Sequence, residues 1–136
     1  MKTTNYYDTF IEIAEDCPVT IAGVPPQKGD DKTVANLQFE MMSANPYQFT
    51  SDDVIFSTYA SRNNIGKNEF DKEREQFFSK GQACLRSSPL AKRYGWGIHS
   101  NADRKVAIYA VDSDKYKELA SDKSLKHVRA MRSKRK

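Results

Sequence analysis

The segment from residue 86 to residue 99 contains the side chains best suited to bind a ligand. It holds three cations, no acidic residue and three side chains that carry aromatic or imidazole rings. These candidate ligand-binding residues are Arg86, Lys92, Arg93, Tyr94, Trp96 and His99. Guanidinium and ammonium groups hold phosphate or carboxylate groups by charge-assisted hydrogen bonds. The alternative is that the cations pair with acidic residues of the first half of the chain, such as Asp53 or Glu73.

Two glycines flank the tryptophan of this segment. On a strand, Tyr94 and Trp96 would point to the same face, and we expect that face to pack into the core. Gly95, Gly97 and His99 share the other face. Glycines there permit the close approach of a ligand or of another part of the chain. A helix packed over the glycines is the favoured interpretation, and an open ligand groove is the alternative.

A second possible chemistry is nucleophilic catalysis by a thiol. Cys84 would be the nucleophile, His99 its base and Asp112 an orienting carboxylate, because a thiol needs a base or a positive field to become a thiolate. Burial as an unreactive packing residue is the favoured interpretation of Cys84. The other cysteine, Cys17, is far away in the sequence and the chain has only two histidines. We therefore predict no disulfide scaffold, no metal site and no cofactor.

Positive charge is concentrated in the second half of the chain. Residues 1–79 contain 7 Lys/Arg and 13 Asp/Glu, whereas residues 80–136 contain 15 and 5. The end of the chain carries the candidate nucleic-acid-binding residues Arg129, Arg132, Lys134, Arg135 and Lys136. Such a segment can contact phosphates through electrostatic attraction. The alternative is a frayed terminus that only increases solubility.

Length and composition predict one soluble domain. The chain has 136 residues, of which 38% are hydrophobic and 29% are charged, a balance typical of globular proteins. Its longest apolar run, 106–111, is much shorter than the ~20 residues of a membrane-spanning helix. Acidic residues interrupt the N-terminal region, so we predict no signal peptide, and the expected compartment is the cytoplasm.

The elements that would position these residues alternate between strands and helices. We predict strands over 7–13, 54–60, 94–100 and 105–111, and helices over 34–44, 67–79, 113–120 and 122–132. The strands at 94–100 and 105–111 would form a β-hairpin around residues 101–104. We expect the first helix to share one face among Val34, Leu37 and Met41, and the last helix to place Leu125, Val128 and Met131 inward. For residues 54–60 a helix behind an acidic cap is the alternative. The strand at 105–111 is nearly all apolar and should be central. The order predicts an α+β fold, with a mainly antiparallel sheet of about four strands and helices on one face. Residues 1–124 would form the body, and residues 125–136 a basic helix and tail of the same domain.

The chain resembles a family of small bacterial proteins that are known only as a domain of unknown function. Four strings carry the resemblance: KGQACLRSSPLAKRYGWGIH at 80–99, NPY at 45–47, TSDD at 50–53 and AMRSKRK at 130–136. The resemblance covers essentially the whole chain, and the string from Ser88 to His99 is its most specific part. The family has Pro where this chain has Ala83, and Ala where it has Ser87. The resemblance implies a small bacterial cytoplasmic protein with no assigned activity or catalytic residue.

These observations predict a non-enzymatic module that binds an anionic partner through the 86–99 segment and the basic C-terminus. The partner would be a nucleic-acid backbone or an anionic small molecule, and no membrane partner is expected. A small cysteine-dependent enzyme that uses Cys84 and His99 is the first alternative. A subunit of a homo-oligomer is the second.

Overall fold

The computed structural model describes residues 2–133 of the chain. Within this range the strands are β1 (Thr9–Glu12), β2 (Trp96–Ser100), β3 (Val106–Ala110) and β4 (Lys126–Arg129). The helices are α1 (Val34–Ala44), α2 (Ser51–Arg62), α3 (Phe70–Phe77), α4 (Pro89–Arg93) and α5 (Asp114–Ala120). Short 3₁₀ turns at Lys67–Glu69 and Leu85–Ser87 lead into α3 and α4. The α+β class is confirmed.

The four strands form one sheet with the order β3-β2-β1-β4. The predicted hairpin is present: β2 and β3 are antiparallel, with Ile98 opposite Ile108. β1 is antiparallel to β2 and parallel to β4. The sheet is therefore mostly antiparallel, as predicted, with one parallel pair at the β4 side.

Each face of the sheet carries its own apolar cluster. Ile11, Ile98 and Val106 face the side that is covered by α1, α2 and α4. Phe10 precedes Ile11 and faces the other side, because successive strand residues alternate between faces. There the ring of Phe10 meets Tyr116 of α5 edge-on, with the ring centroids 5.0 Å apart. α5 thus departs from the expectation that the helices cover a single face.

The prediction that β3 is a central strand is wrong, because β3 lies at the edge of the sheet. Its apolar sequence has another reason. Val106 and Ile108 contact one apolar cluster, and Tyr109 contacts the other. The chain after α1 pairs with the outer edge at Val106: the Tyr47 amide donates to the Val106 carbonyl at 2.9 Å, and the Val106 amide donates to the Phe49 carbonyl at 2.8 Å. A strand whose two faces both contact apolar clusters is apolar even at the edge of a sheet.

The predicted strand over 54–60 is wrong, because these residues belong to α2. The helix begins at a reciprocal capping box: the Thr50 hydroxyl accepts from the Asp53 amide at 3.1 Å, and the Asp53 carboxylate accepts from the Thr50 amide at 3.0 Å. Phe56 and Ala60 are both buried and lie one helical turn apart. The cap and the helical spacing outweigh the β-propensity of the branched and aromatic residues.

The predicted last helix over 122–132 is also wrong, because this region contains β4. The Lys126 amide donates to the Asp8 carbonyl, and the Ala130 amide donates to the Glu12 carbonyl, both at 2.8 Å. The edge of β1 supplies these acceptors from the far end of the sequence. A local pattern of apolar residues does not reveal a pairing over such a distance.

The end of the described chain belongs to the folded unit. Leu125 and Val128 are half-buried and pack against the apolar clusters, as predicted. Met131 differs from its prediction, because 51% of it is exposed. The cations Lys126, Arg129 and Arg132 are exposed.

Helix α1 has the predicted bounds. Thr33 caps it, and its side chain accepts from the Asn36 amide. The inward face is shifted from the predicted one, which comprised Val34, Leu37 and Met41: the buried positions include Ala35, Gln38 and Met42. A polar residue, Gln38, therefore lies in the buried stripe of α1. No helix within residues 2–133 has the length and apolar character needed to cross a membrane.

Candidate functional site

The C-terminal segment lies against the 3₁₀ turn Leu85–Ser87. The Nε of Arg86 donates a hydrogen bond to the Arg129 carbonyl at 2.7 Å. The Met131 amide donates to the Arg86 carbonyl at 2.8 Å, and the Ser87 hydroxyl donates to the Met131 sulfur at 3.2 Å. These contacts bring together cations that the sequence places in two separate segments.

A cavity of about 320 Å³ opens at this junction. Its lining residues are Arg86, Arg129 and Arg132 with Glu15, Ala130 and Met131. Arg132 Nη1 lies 4.0 Å from Glu15 Oε2, and these side chains are 43% and 62% exposed. Such exposed ion pairs contribute about 0–1 kcal/mol. One carboxylate therefore faces three guanidinium-bearing residues, and the lining keeps a positive excess.

The C-terminal segment also lines a second cavity, of about 450 Å³. Arg93 and Tyr94 line it together with Asp16 and Ser133. The Ser133 amide donates to both carboxylate oxygens of Asp16, at 3.2 and 2.9 Å. Arg132 and Ser133 are consecutive in the sequence and line different cavities. The remaining predicted residues, Lys134, Arg135 and Lys136, follow directly and lie outside the described residues.

Asp53, one of the expected alternative partners of these cations, pairs with another residue. Asp53 pairs with Arg74 of α3 at 2.9 Å. Within residues 2–133, no ion pair involves Arg86, Arg93 or the half-buried Lys92. The alternative that the acidic first half neutralises them is therefore wrong for Asp53. These cations keep their charge available for an external anion.

Trp96 and the glycine face serve packing. The Trp96 indole N–H donates to the Gly23 carbonyl at 2.8 Å, and its ring meets Phe39 edge-on at 5.2 Å. A Cβ at Gly97 would lie 2.6 Å from ring atoms of both Phe10 and Tyr116. The favoured interpretation of a helix packed over this face is confirmed at Gly97, and no ligand groove forms there.

His99 belongs to a chain of three hydrogen-bonded rings on the β3 side of the sheet. Its Nδ1 lies 2.7 Å from Tyr47 Oη, which lies 2.8 Å from Tyr109 Oη. Tyr47 has a φ of 59°, in the left-handed region that non-glycine residues seldom adopt. The hydrogen bond of its amide to Val106 fixes it there. Tyr47 thereby ties the chain after α1 to both strands of the hairpin.

The electrostatics of this cluster favour its neutral forms. Burial lowers the pKa of His99 and the charge of Lys115 lowers it further, while Asp8 and Asp122 oppose the shift. Burial raises the pKa of Tyr47 well above its ordinary value, and the hydrogen bond with Tyr109 adds to this. Burial thus favours both the neutral imidazole of His99 and the protonated phenol of Tyr47.

The candidate catalytic residues have separate partners. Cys84 Sγ lies 3.4 Å from the hydroxyl of Tyr6, whereas His99 is bonded to Tyr47. Asp112 accepts a hydrogen bond from the Ala22 amide at 3.0 Å. The structure therefore does not assemble the sequence-predicted thiol, base and orienting carboxylate through shared hydrogen bonds. Within residues 2–133 there is also no group of three or more His, Cys, Asp or Glu side chains that could hold a metal ion.

Comparison with protein families decides where the chain belongs. The model of a family of unknown function (DUF6157) matches residues 1–136. The chain belongs to this family. No curated protein matches it, and no solved structure does. Membership in DUF6157 therefore supplies no activity, and function has to be argued from the geometry of the site.

Three residues that shape polar sites in this DUF6157 chain were missed by sequence reasoning. Gln38 could have been found as the polar member of a buried helical stripe, with Ala35 and Met42 at helical spacing. Tyr109 could have been found by the strand alternation that places it on the face of His99. Nothing in the local sequence indicated that Tyr47 reaches that face, because its position depends on how the chain passes the sheet edge.

Proposed function

We propose that this DUF6157 protein is a non-enzymatic cytoplasmic module that binds phosphate groups of an anionic partner through a basic surface. The basic surface comprises Arg86, Arg93, Arg129 and Arg132, and we include Lys92 of α4 with it. Lys134, Arg135 and Lys136 follow Ser133 in the sequence and complete the proposed set, but they lie outside the described residues. One observation carries the proposal: the bond from Arg86 to the Arg129 carbonyl joins two distant basic segments around one cavity. Arg86, Arg93 and Arg129 make no ion pair within the described residues, and Arg132 makes only a long, exposed one with Glu15. Guanidinium groups in this state are suited to bind phosphate.

A nucleic-acid backbone is the favoured anionic partner. The cations are spread over two cavities, both lined by part of the C-terminal segment, and over a terminal run of basic residues. This arrangement fits repeated phosphates better than one compact anion. The Trp96 ring is fixed by its contacts with Phe39 and Gly23, so it supports no stacking platform for bases. Binding would therefore be governed by charge and would be largely independent of sequence.

The cytoplasmic location is supported by the state of the cysteines. Cys17 and Cys84 are both free thiols, which is typical of proteins in a reducing compartment. The resemblance of the sequence to small bacterial proteins supports a bacterial origin.

The proposal is tested by titrating fluorescently labelled single-stranded RNA with the full chain at several salt concentrations. We expect binding that weakens steeply with salt. Replacing Arg93 and Arg132 together by glutamine should lower the salt slope by ~0.7 for each phosphate group that the variant no longer binds. The matched control replaces two exposed lysines by glutamine: Lys67, which precedes α3, and Lys72, which lies on it.

Two results would overturn this function. Absence of RNA binding at low salt removes the nucleic-acid partner, and an equal loss in the control variant removes the basic surface as the site. Inorganic tripolyphosphate serves as the small-anion probe. Tight binding of tripolyphosphate without binding of RNA assigns the same surface to a small anion instead.

A further inference from the structure

A cavity of about 570 Å³ lies between α1, α2 and the end of α3, lined by residues that do not line the two basic cavities. Its apolar walls include Val34, Ile55 and Phe77. The ring of Tyr59 packs on Phe77 with the ring centroids 4.6 Å apart, and 40% of Tyr59 is exposed. This volume lies within the range of small-molecule sites, which are typically apolar with a few fixed polar groups.

A buried amide reaches this cavity from the core. Gln38 is only 6% exposed and nevertheless lines the cavity. Its Oε1 accepts a hydrogen bond from the Ser88 hydroxyl at 2.6 Å. Ser88 in turn caps α4 by accepting from the Leu90 amide at 3.2 Å. The cap positions Ser88, and the hydroxyl of Ser88 engages the oxygen side of the Gln38 amide.

The Nε2 group of the Gln38 amide is a hydrogen-bond donor without a partner in the described chain. Within residues 2–133 its Nε2 has no acceptor, because the only hydrogen bond of this side chain is the one to its oxygen. Yet no fully buried side-chain nitrogen or oxygen in this range lacks a partner. The Nε2 is therefore not sealed in the core, and the cavity that Gln38 lines is where it can be reached. An almost buried donor of this kind requires an acceptor from outside the chain, either water or a ligand.

The rim of the cavity carries a cation. Arg62, the last residue of α2, lines the cavity and makes no ion pair within the described residues. Two neighbouring amides are already used: Asn63 Nδ2 donates to the Tyr59 carbonyl, and Gln82 Nε2 donates to the Phe77 carbonyl, both at 2.8 Å. They fix the backbone beneath the two rings. Gln38 and Arg62 remain as the donors suited to recognise a ligand.

We propose that this cavity binds a small aromatic carboxylate that also carries a carbonyl group. The aromatic ring of the ligand lies against Phe77 and Tyr59, where apolar and edge-on ring contacts are available. The carbonyl oxygen accepts from Gln38 Nε2 in the inner part of the cavity. The carboxylate pairs with Arg62 at the rim, where an ion can stay partly hydrated.

The test is an NMR titration of the ¹⁵N-labelled full chain with 4-acetylbenzoate, which has a ketone, a ring and a carboxylate. We expect shift changes at the Gln38 side-chain amide and at backbone amides of Ile55, Thr58 and Phe77. Benzoate lacks the ketone and acetophenone lacks the carboxylate. Each should bind ~10-fold more weakly than 4-acetylbenzoate, as expected for the loss of one hydrogen bond or ion pair to a partly buried group.

Variants of the protein assign the two contacts. Gln38→Met should weaken 4-acetylbenzoate ~10-fold and leave benzoate unchanged, and Gln48→Met at an exposed glutamine is its control. Arg62→Gln should weaken both carboxylates and leave acetophenone unchanged, with Lys72→Gln as control. If a variant does not fold, the affinities of the unaltered protein for 4-acetylbenzoate, benzoate and acetophenone still test whether the ketone and the carboxylate are recognised.

Three outcomes overturn the proposal. The first is the absence of shift changes at millimolar 4-acetylbenzoate. The second is a set of shift changes at Arg86 and Arg129 instead of at the cavity, which makes the compound a ligand of the basic surface. The third is equal affinity for benzoate and 4-acetylbenzoate, which shows that Gln38 does not recognise the ligand. The first and the third outcome do not bear on RNA binding, which is read out at the basic surface.

Discussion

The Nε of Arg86 donates a hydrogen bond to the Arg129 carbonyl at 2.7 Å across 43 positions of sequence. The returning bond from the Met131 amide to the Arg86 carbonyl makes this contact a two-point attachment. The basic C-terminal segment is thereby held beside the 3₁₀ turn instead of extending into solvent. The frayed-terminus alternative is therefore wrong for residues 129–133, and the positions of the cations follow from this attachment.

Arg86→Met should loosen the C-terminal segment. The substitution keeps an unbranched apolar stem but removes the donor to Arg129, so we expect a loss of about 0.5–1.5 kcal/mol of unfolding free energy. Hydrogen exchange at the Met131 amide should become faster, as measured by NMR. Arg93→Met is the control, because Arg93 makes no side-chain hydrogen bond within the described residues. Equal effects of the two substitutions would contradict the role of the Arg86 contact.

Gly97→Ala should destabilise the fold. The new Cβ would lie 2.6 Å from rings of both Phe10 and Tyr116, and overpacking of this kind costs about 1–3 kcal/mol. The unfolding free energy from urea titration measures the effect. Gly23→Ala is the matched control, because a Cβ there meets nothing within 4 Å. A Gly97 variant as stable as the control would show that α5 can move away from the sheet.

His99 should make the protein less stable at acidic pH. Its pKa is lowered in the folded state, chiefly by burial, so the unfolded chain takes up a proton first. The stability from neutral His99 is complete above the unfolded value of about 6.5 and is lost as the pH falls from there towards the folded value. Urea titrations at several pH values should give a steeper loss for the unaltered protein than for His99→Gln.

The lowered pKa of His99 can also be measured directly on its ring. An NMR titration of the His99 ring should give a midpoint below the ordinary range of histidine, and Tyr47→Phe should move that midpoint by removing its hydrogen-bond partner. Equal pH slopes for the unaltered protein and for His99→Gln would contradict the assignment.

Cys84 should react slowly with iodoacetamide in the native state. It is half-buried, and its sulfur lies 3.4 Å from the Tyr6 hydroxyl. Its hydrogen-bond partner is thus a tyrosine and not a base. The Cys17→Ser variant isolates Cys84, and the denatured chain gives the reference rate. Fast native alkylation that slows in His99→Gln would favour the cysteine-dependent enzyme instead.

Local sequence signals predicted several elements correctly because their causes are local. The bounds of α1 follow from the Thr33 cap and the Asn45-Pro46 stop, and the β2–β3 hairpin follows from two apolar runs around a polar turn. At α2 the local signals conflicted. The Thr50–Asp53 capping box and the β-branched residues after it favoured different structures, and buried contacts of Phe56 with Phe70 and Phe77 settled the helix.

The candidate sites were predictable in their residue types but not in their grouping. Charge alone identified Arg86, Arg93, Arg129 and Arg132, because cations without nearby acids are visible in a sequence. Their common location was not visible, because it requires β4 to pair with β1. The Gln38 amide was missed for a related reason: its unpaired Nε2 donor is evident only because Ser88, 50 positions later, binds its oxygen.

By itself, the sequence determined the class of the fold, the family and the distribution of charge, since these depend on composition, periodicity and motif strings. The tertiary structure decided the strand order, the second covered face and the contacts of Arg86, Gln38 and Tyr47. Each of those contacts is a hydrogen bond between residues far apart in the chain. Such a bond forms only when packing of the apolar clusters has already fixed the two backbones, so no local pattern encodes it.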